Sequence, residues 1–305
     1  MKRNSILGSL LLTLVAVIWG TAFVFQRAGM DQITPITFVA SRMTISAVAV
    51  GVVTLLPFLR SSASGSTGTP RFSRSELTGG LLCGVFLSIA SIFQQMGIVY
   101  TPAGKAGFIT AMYILLVPVI RFLMFRKKTS WHVWLAVGIG IVGMYFLCMT
   151  QSLRLTRGDV LICICALLFS GHILCCDFSV ERGNAVRISA IQFFSATLIS
   201  WIAAFILEKP SFSGIVSAAV PILYCGAISG GVGYTLQIVA QRHTDPTIAS
   251  LLMSLESVFA VIAGALILRE RMQPKELIGC IIMFAAIVLA QIPQKRKSAS
   301  SGGPS

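Results

Sequence analysis

Charge is what this chain has least of. Charged residues make up 11% of its 305 positions, and only 10 are Asp or Glu against 24 Lys and Arg. A water-soluble domain carries roughly a quarter charged residues, because its surface must face solvent. The scarcity therefore excludes a soluble globular fold. Histidine is nearly absent: His132, His172 and His243 are the whole complement. No His-Glu-x-x-His pattern occurs, and no second carboxylate accompanies Glu256 at depth, so an enzyme active site is not expected. The eight cysteines form no CxxC pair and lie inside or at the ends of apolar runs. They read as small packing residues rather than a disulfide framework or a zinc site, and no cofactor or metal is expected. A carbonyl filter of the Thr-Val-Gly-Tyr-Gly kind is missing too, which argues against an ion channel. The net charge of +14 is not gathered into a basic stripe with reader residues, so nucleic acid is not an expected partner.

What the chain has instead is apolar length. Hydrophobic residues reach 55% and mean hydropathy is +0.86. Ten apolar runs fall at about 6–25, 36–56, 78–98, 106–125, 131–149, 159–179, 188–207, 216–240, 247–268 and 276–292. Each is near the roughly 20 residues a membrane helix needs. The runs are continuous rather than alternating, which selects helices over a β-barrel. Met1-Lys2-Arg3 ahead of the first run resembles a signal peptide, but no small-x-small cleavage site follows, so this is an uncleaved span. The expected fold class is an all-α polytopic membrane protein with ten transmembrane helices. Short links make sequential spans antiparallel neighbours.

With the N-terminus inside, fourteen Lys and Arg fall on the inner side and eight on the outer. The excess of positive charge inside predicts cytoplasmic termini and a multi-pass protein of the cytoplasmic membrane. The two halves also resemble each other. Trp19-Gly20 matches Ser170-Gly171 at an offset of 151, and Gln94, Thr101 and Ala106 match Gln237, Thr244 and Ala249 at 143. The difference of eight falls where the first half carries a polar insert, Ser61 to Pro70, that the second half lacks. Five spans per repeat is an odd number, so the second copy enters the membrane inverted, as in alternating-access transporters. The expected organisation is a first repeat over 1–150, a second over 151–293 and a disordered cytoplasmic tail over 294–305.

Particular motifs sharpen this. Ile18-Trp19-Gly20-Thr21-Ala22-Phe23 resembles the Trp-Gly-x-x-Phe element of EamA-type members of the drug/metabolite transporter superfamily. Arg42 matches that family's arginine in span two, and Leu255-Glu256-Ser257-Val258 with Arg269-Glu270-Arg271 resembles its span-nine element. Ser257 stands where the family often has Pro, and Arg269 where it often has Gly; the chain thus lacks the proline that would kink the helix beside Glu256. The resemblance implies ten helices in two repeats and export or exchange of small metabolites, amino acids or drugs.

An ionisable side chain at bilayer depth costs several kcal/mol unless paired or wetted, so each one marks a candidate site. Glu256 lies about nine residues into its run, roughly 14 Å deep at 1.5 Å per residue. There it could exchange a proton for a cationic or zwitterionic substrate, or serve as a packing glutamate. Arg42 is a candidate contact within snorkelling reach of the outer boundary, whereas Arg121, close before Arg126-Lys127-Lys128, reads as a snorkelling residue. His172 could relay protons, contact substrate or hydrogen-bond in the core. Gln94 and Gln237 are repeat-related amides that could face a common cavity or bond between helices. Trp19, Phe23, Phe108, Tyr113 and Tyr234 are candidate aromatic lining. Gly80 with Gly84 and Gly226 with Gly230 have the spacing that lets helices approach closely, and Pro118 could act as a hinge. The expected partners are a small-molecule substrate, the lipid bilayer and a coupled proton, in a monomer or homodimer.

Overall fold

The structure is a computed structural model and describes residues 5–63, 72–101, 103–126, 130–148, 156–267 and 274–291. Every element within them is helical: α1 Ser5–Gly29, α2 Pro35–Ala63, α3 Arg74–Ile98, α4 Ala103–Thr110, α5 Tyr113–Phe125, α6 Trp131–Cys148, α7 Arg157–Val180, α8 Ala185–Leu207, α9 Phe212–Ser217, α10 Ala219–Leu223, a π-helical segment Tyr224–Tyr234, α11 Thr235–Gln241, α12 Pro246–Met253, α13 Glu256–Ile267 and α14 Pro274–Gln291. Eight helical stretches among the described residues are long and apolar enough to cross a membrane. The runs expected to supply two more form shorter apolar helices, Trp131–Gly143 and Leu277–Ala286. The chain is a polytopic helical membrane protein. Most of the insert at 61–70 and the whole tail at 294–305 lie outside the described residues.

Helix starts follow local chemistry. Ser73 and Glu76 form a reciprocal capping box at α3, and Thr156 with Asp159 forms another at α7. Each box satisfies two backbone N–H groups that the first turn leaves without helical partners. Asp245 caps α12, with Pro246 at the first helical position, where a missing N–H is harmless. Outward-facing Leu123, Phe205, Ile206 and Phe284 stay exposed, as expected where the solvent is hydrocarbon.

Two spans are interrupted. One stops at Thr110 and restarts at Tyr113; the other stops at Met253 and restarts at Glu256. Three backbone bonds at the first interruption recur at the second. Ala111 N donates to Gly107 O, Met112 N to Ile109 O and Ile114 N to Ala111 O. Ser254 N donates to Ser250 O, Leu255 N to Leu252 O and Ser257 N to Ser254 O, each 143 positions later. The second break needs no proline. Hydroxyls of Ser250, Ser254 and Ser257 donate back to carbonyls three residues earlier, at 2.7–2.8 Å, and such back-bonding bends helices. Pro118 sits inside α5 without ending it, and the break in this helix falls at Ala111–Met112 instead.

The spans pack through small residues. A Cβ on Gly80 would strike Ile191 of α8, and one on Gly84 would strike Ser195 of the same helix. Gly226 and Gly230 meet Ile45 and Ser46 of α2 in the same manner. Without these glycines the backbones could not approach so closely. The π-helical segment is rich in glycine, and its carbonyls accept side-chain donors: Ser46 Oγ to Gly226 O at 2.7 Å and Trp19 Nε1 to Ser229 O at 3.2 Å. The main packing pairs are α3 with α7 and α8, α2 with α8 and the π segment, α1 with α13 and the π segment, α7 with α4 and α5, and α6 with α14.

Candidate substrate cavity

One cavity collects polar groups from both halves. It is lined by Trp19, Ala22, Phe23 and Gln26 of α1, Arg42 of α2, Gln94 of α3, and Thr110 and Tyr113 at the first interruption. Phe169, His172 and Ile173 of α7, Ser229 and Tyr234 of the π segment, Gln237 of α11 and Glu256 at the second interruption complete it. The eight residues singled out as candidate contacts (Glu256, His172, Trp19, Gln94, Gln237, Tyr113, Tyr234 and Arg42) thus share one space, and Phe23 joins them. Phe108 does not line it; it packs against the apolar clusters around Ala106 and Ile109.

The two interrupted helices meet here. Tyr113 and Glu256 are the first residues of α5 and α13, and Tyr113 Oη donates to Glu256 Oε1 at 2.8 Å. Glu256 is only 3% exposed. The backbone around it is tight: a Cβ on Gly20 would lie 2.7 Å from Glu256 O and 2.5 Å from Phe259 Cβ. The Trp-Gly dipeptide therefore serves both helices. Gly20 admits α13, while Trp19 reaches the π segment and lies over Tyr234, with ring centroids 4.6 Å apart.

Tyr234 is the hub of an aromatic group, with His172 and Phe193 edge-on at 5.7 and 6.0 Å. Such tilted and edge-to-face contacts fix ring positions beyond simple burial. His172 Nε2 lies 3.1 Å from Gln192 Oε1, so this histidine is both hydrogen-bonded in the core and part of the lining. Gln94 Nε2 donates to Thr110 Oγ1 at 3.3 Å, and Gln237 Nε2 donates to Gln241 Oε1 at 3.2 Å. Four buried atoms on the lining lack any protein partner: Arg42 Nε and Nη2, Gln26 Oε1 and Gln237 Oε1. Buried polar groups are nearly always satisfied, so such a concentration in one cavity is unusual.

Three other partly buried basic residues find carboxylates. Lys105 Nζ meets Asp159 Oδ2 at 2.6 Å, and Arg187 Nη1 lies 3.7 Å from Glu76 Oε2. Arg121, expected to snorkel, instead pairs with Asp245 at 2.6 Å, its side chain only 15% exposed. Three polar lining residues escaped the sequence reading. Gln26 shares a helical face with Trp19 and Phe23, a spacing that could have disclosed it. Thr110 and Ser229 carry no such signal, since hydroxyls are common in membrane helices.

A helical membrane protein with a polar cavity between two interrupted spans has the architecture of a transporter. Residues 6–149 and again 156–291 match the EamA-like transporter family, and the chain belongs to that family. An uncharacterized transporter of Archaeoglobus fulgidus is 26% identical over 281 residues, which span 92% of this chain and 84% of that protein. The probable terminal-alkyne amino-acid exporter of Streptantibioticus cattleyicolor is 20% identical across 99% of both chains. A solved crystal structure superposes with a TM-score of 0.73 at 14% identity, over 93% of this chain and 96% of that one, a likeness of fold.

Proposed function

We propose that this EamA-family protein is a secondary carrier that exports small amphipathic metabolites, among them amino acids and related compounds or drugs, by alternating access. The observation that carries the reading is the meeting of Tyr113 and Glu256, the tips of two matched interrupted helices, inside a polar cavity. Interrupted helices at a central site are how transporters expose polar groups without exposing backbone to lipid. The cavity holds only about 30 Å3, room for about two waters. A carrier closed around its site fits that volume better than an open pore. The relative named as an exporter supports the direction.

The organisation that goes with this reading is ten spans in two inverted five-span repeats, 1–150 and 151–293. Three observations support it: the family match occurs twice, the backbone bonds at the interruptions recur after 143 residues, and the packing pairs interchange. Moving each partner five spans along turns α1 with α13 into α7 with α5, and α3 with α7 into the π segment with α1, and all four pairs occur. Both termini face the cytoplasm in this arrangement. Single cysteines replacing Arg126 and Lys105, in a cysteine-free background, should label from opposite faces of intact cells; labelling of both from outside would refute the orientation.

Glu256 is the coupling residue of the carrier. Glu256→Gln preserves volume but removes the exchangeable proton. The variant should reach the membrane at normal levels, lose at least about tenfold in export and lose the pH dependence of flux. Glu256→Asp should keep part of it. Comparative metabolite profiling of medium from cells with and without the protein supplies the exported compound to follow. Wild-type export with an unchanged pH profile in Glu256→Gln would end the proposal.

A further inference from the structure

We infer that Arg42 is an anion hook and that compounds bound in the cavity carry a carboxylate, which this guanidinium takes side-on. The inference rests on the carrier reading above and narrows its substrate class. Arg42 is 3% exposed, and its Nε and Nη2 have no hydrogen-bond partner. No carboxylate pairs with it among the described residues, whereas Lys105, Arg121 and Arg187 each have one. A buried charge is costly unless it is paired. Arginine also keeps its charge when buried, so it cannot relieve the cost as a lysine does. The missing negative partner is therefore supplied from outside the chain.

The geometry selects the kind of anion. Nε and Nη2 are the two nitrogens on one edge of the guanidinium, the edge that receives both oxygens of a carboxylate in a fork. The same cavity offers Gln26 Oε1 and Gln237 Oε1 as unfilled acceptors and Glu256 as an acid. These suit an ammonium group or hydroxyls at the other end of the compound. Trp19, Phe23, Phe169 and Tyr234 would contact an apolar part. An apolar body with a carboxylate at one end meets all three demands. An organic cation with no acid group leaves Arg42 unpaired and is excluded.

The test uses purified full-length protein in detergent and four probes sharing one phenyl group: L-phenylalanine, 3-phenylpropanoate, L-phenylalaninamide and 2-phenylethylamine. Thermal unfolding is followed as each is titrated. The two carboxylates should raise the melting temperature, and the amide and amine should not. Equal binding of phenylalanine and 3-phenylpropanoate assigns the site to carboxylic acids at large; tighter binding of phenylalanine assigns the ammonium to the acceptor side. Arg42→Gln should weaken carboxylate binding by at least about thirtyfold, the usual scale for removing one member of a buried charge pair. Arg42→Lys should recover part of it. Without ligand, Arg42→Gln should melt at or above wild type, because an unpaired buried charge has gone; an arginine held for structure would melt lower. Equal shifts by the amide or amine, undiminished carboxylate binding in Arg42→Gln, or no shift with either carboxylate would overturn the inference. Arg42-dependent binding without saturable counterflow in proteoliposomes would sink the carrier reading and leave this one standing.

Discussion

The two interrupted spans share a backbone and differ in chemistry. At Ala111–Met112 and Ser254–Leu255 the same hydrogen bonds recur 143 residues apart, yet the first restarts with a phenol and the second with a carboxyl. The first break has no hydroxyl ladder, while the second is bent by three serines that bond back along the helix. Duplicate geometry therefore does not require duplicate side chains. The fold repeats what positions a helix tip at the cavity, and each half is then free to place a different group there. A donor facing an acid across the cavity makes a hydrogen bond that two identical acids could make only by sharing a proton.

The halves should be equally intolerant at their close contacts, and this gives the largest expected effect. A Cβ on Gly84 would overlap Ser195 Oγ, and one on Gly230 would overlap Ser46 Oγ. Gly84→Ala and Gly230→Ala should each lose about 1–3 kcal/mol by overpacking. Monodisperse protein recovered from detergent should fall several-fold for both. A loss in one half only would break the structural equivalence.

The helix tips should be unequal in kind. Tyr113→Phe deletes the donor that reaches Glu256 Oε1. An unsatisfied buried partner costs about 1–3 kcal/mol, so export should fall about five- to 150-fold with the protein still folded. If flux in Tyr113→Phe equals wild type, Tyr113 is packing and the two tips do not act together. The insert separates the halves differently, since only the first carries it. Deleting residues 64–70 should leave export within about twofold, because the free energy of a flexible loop varies slowly with its length; abolished flux would mean that the segment docks. The smallest effect is reserved for a glycine with open surroundings. Nothing lies within 4 Å of a Cβ on Gly138. Gly138→Ala should change the melting temperature little, or raise it slightly through helix propensity, a gain of up to about 1 kcal/mol. A loss comparable to Gly84→Ala would show that the helix meets a neighbour there.

Much of the cavity was legible because polar groups are conspicuous in an apolar chain. Arg42, Gln94, His172, Gln237 and Glu256 interrupt runs that lipid would otherwise solvate, and they converge on one space. Trp19 and Gly20 were visible as a motif, although a motif cannot say that the glycine exists to admit Glu256. The interruption between Met253 and Glu256 was not legible, because the usual mark of a helix break is a proline; serine back-bonding leaves no comparable mark. At Ala111–Met112 the sequence carries no breaker at all. Arg121 was misjudged for a related reason. Spacing from a basic cluster suggested an end facing headgroups, and only the folded chain brings Asp245 within 2.6 Å of it.

The sequence by itself determined the solvent and the secondary structure. Too few charges to face water put the chain in lipid, and continuous rather than alternating apolar runs select helices, which satisfy their own backbone groups there. The recurring spacings also pointed to two related halves, and the family match falls twice, over 6–149 and 156–291. The tertiary structure alone decided which polar groups are paired. Lys105, Arg121 and Arg187 meet acids contributed by distant segments, and Arg42 does not. Pairing depends on distances of a few ångströms between segments remote along the chain. Those distances are set by which glycines let helices close, and no local pattern of residues encodes them.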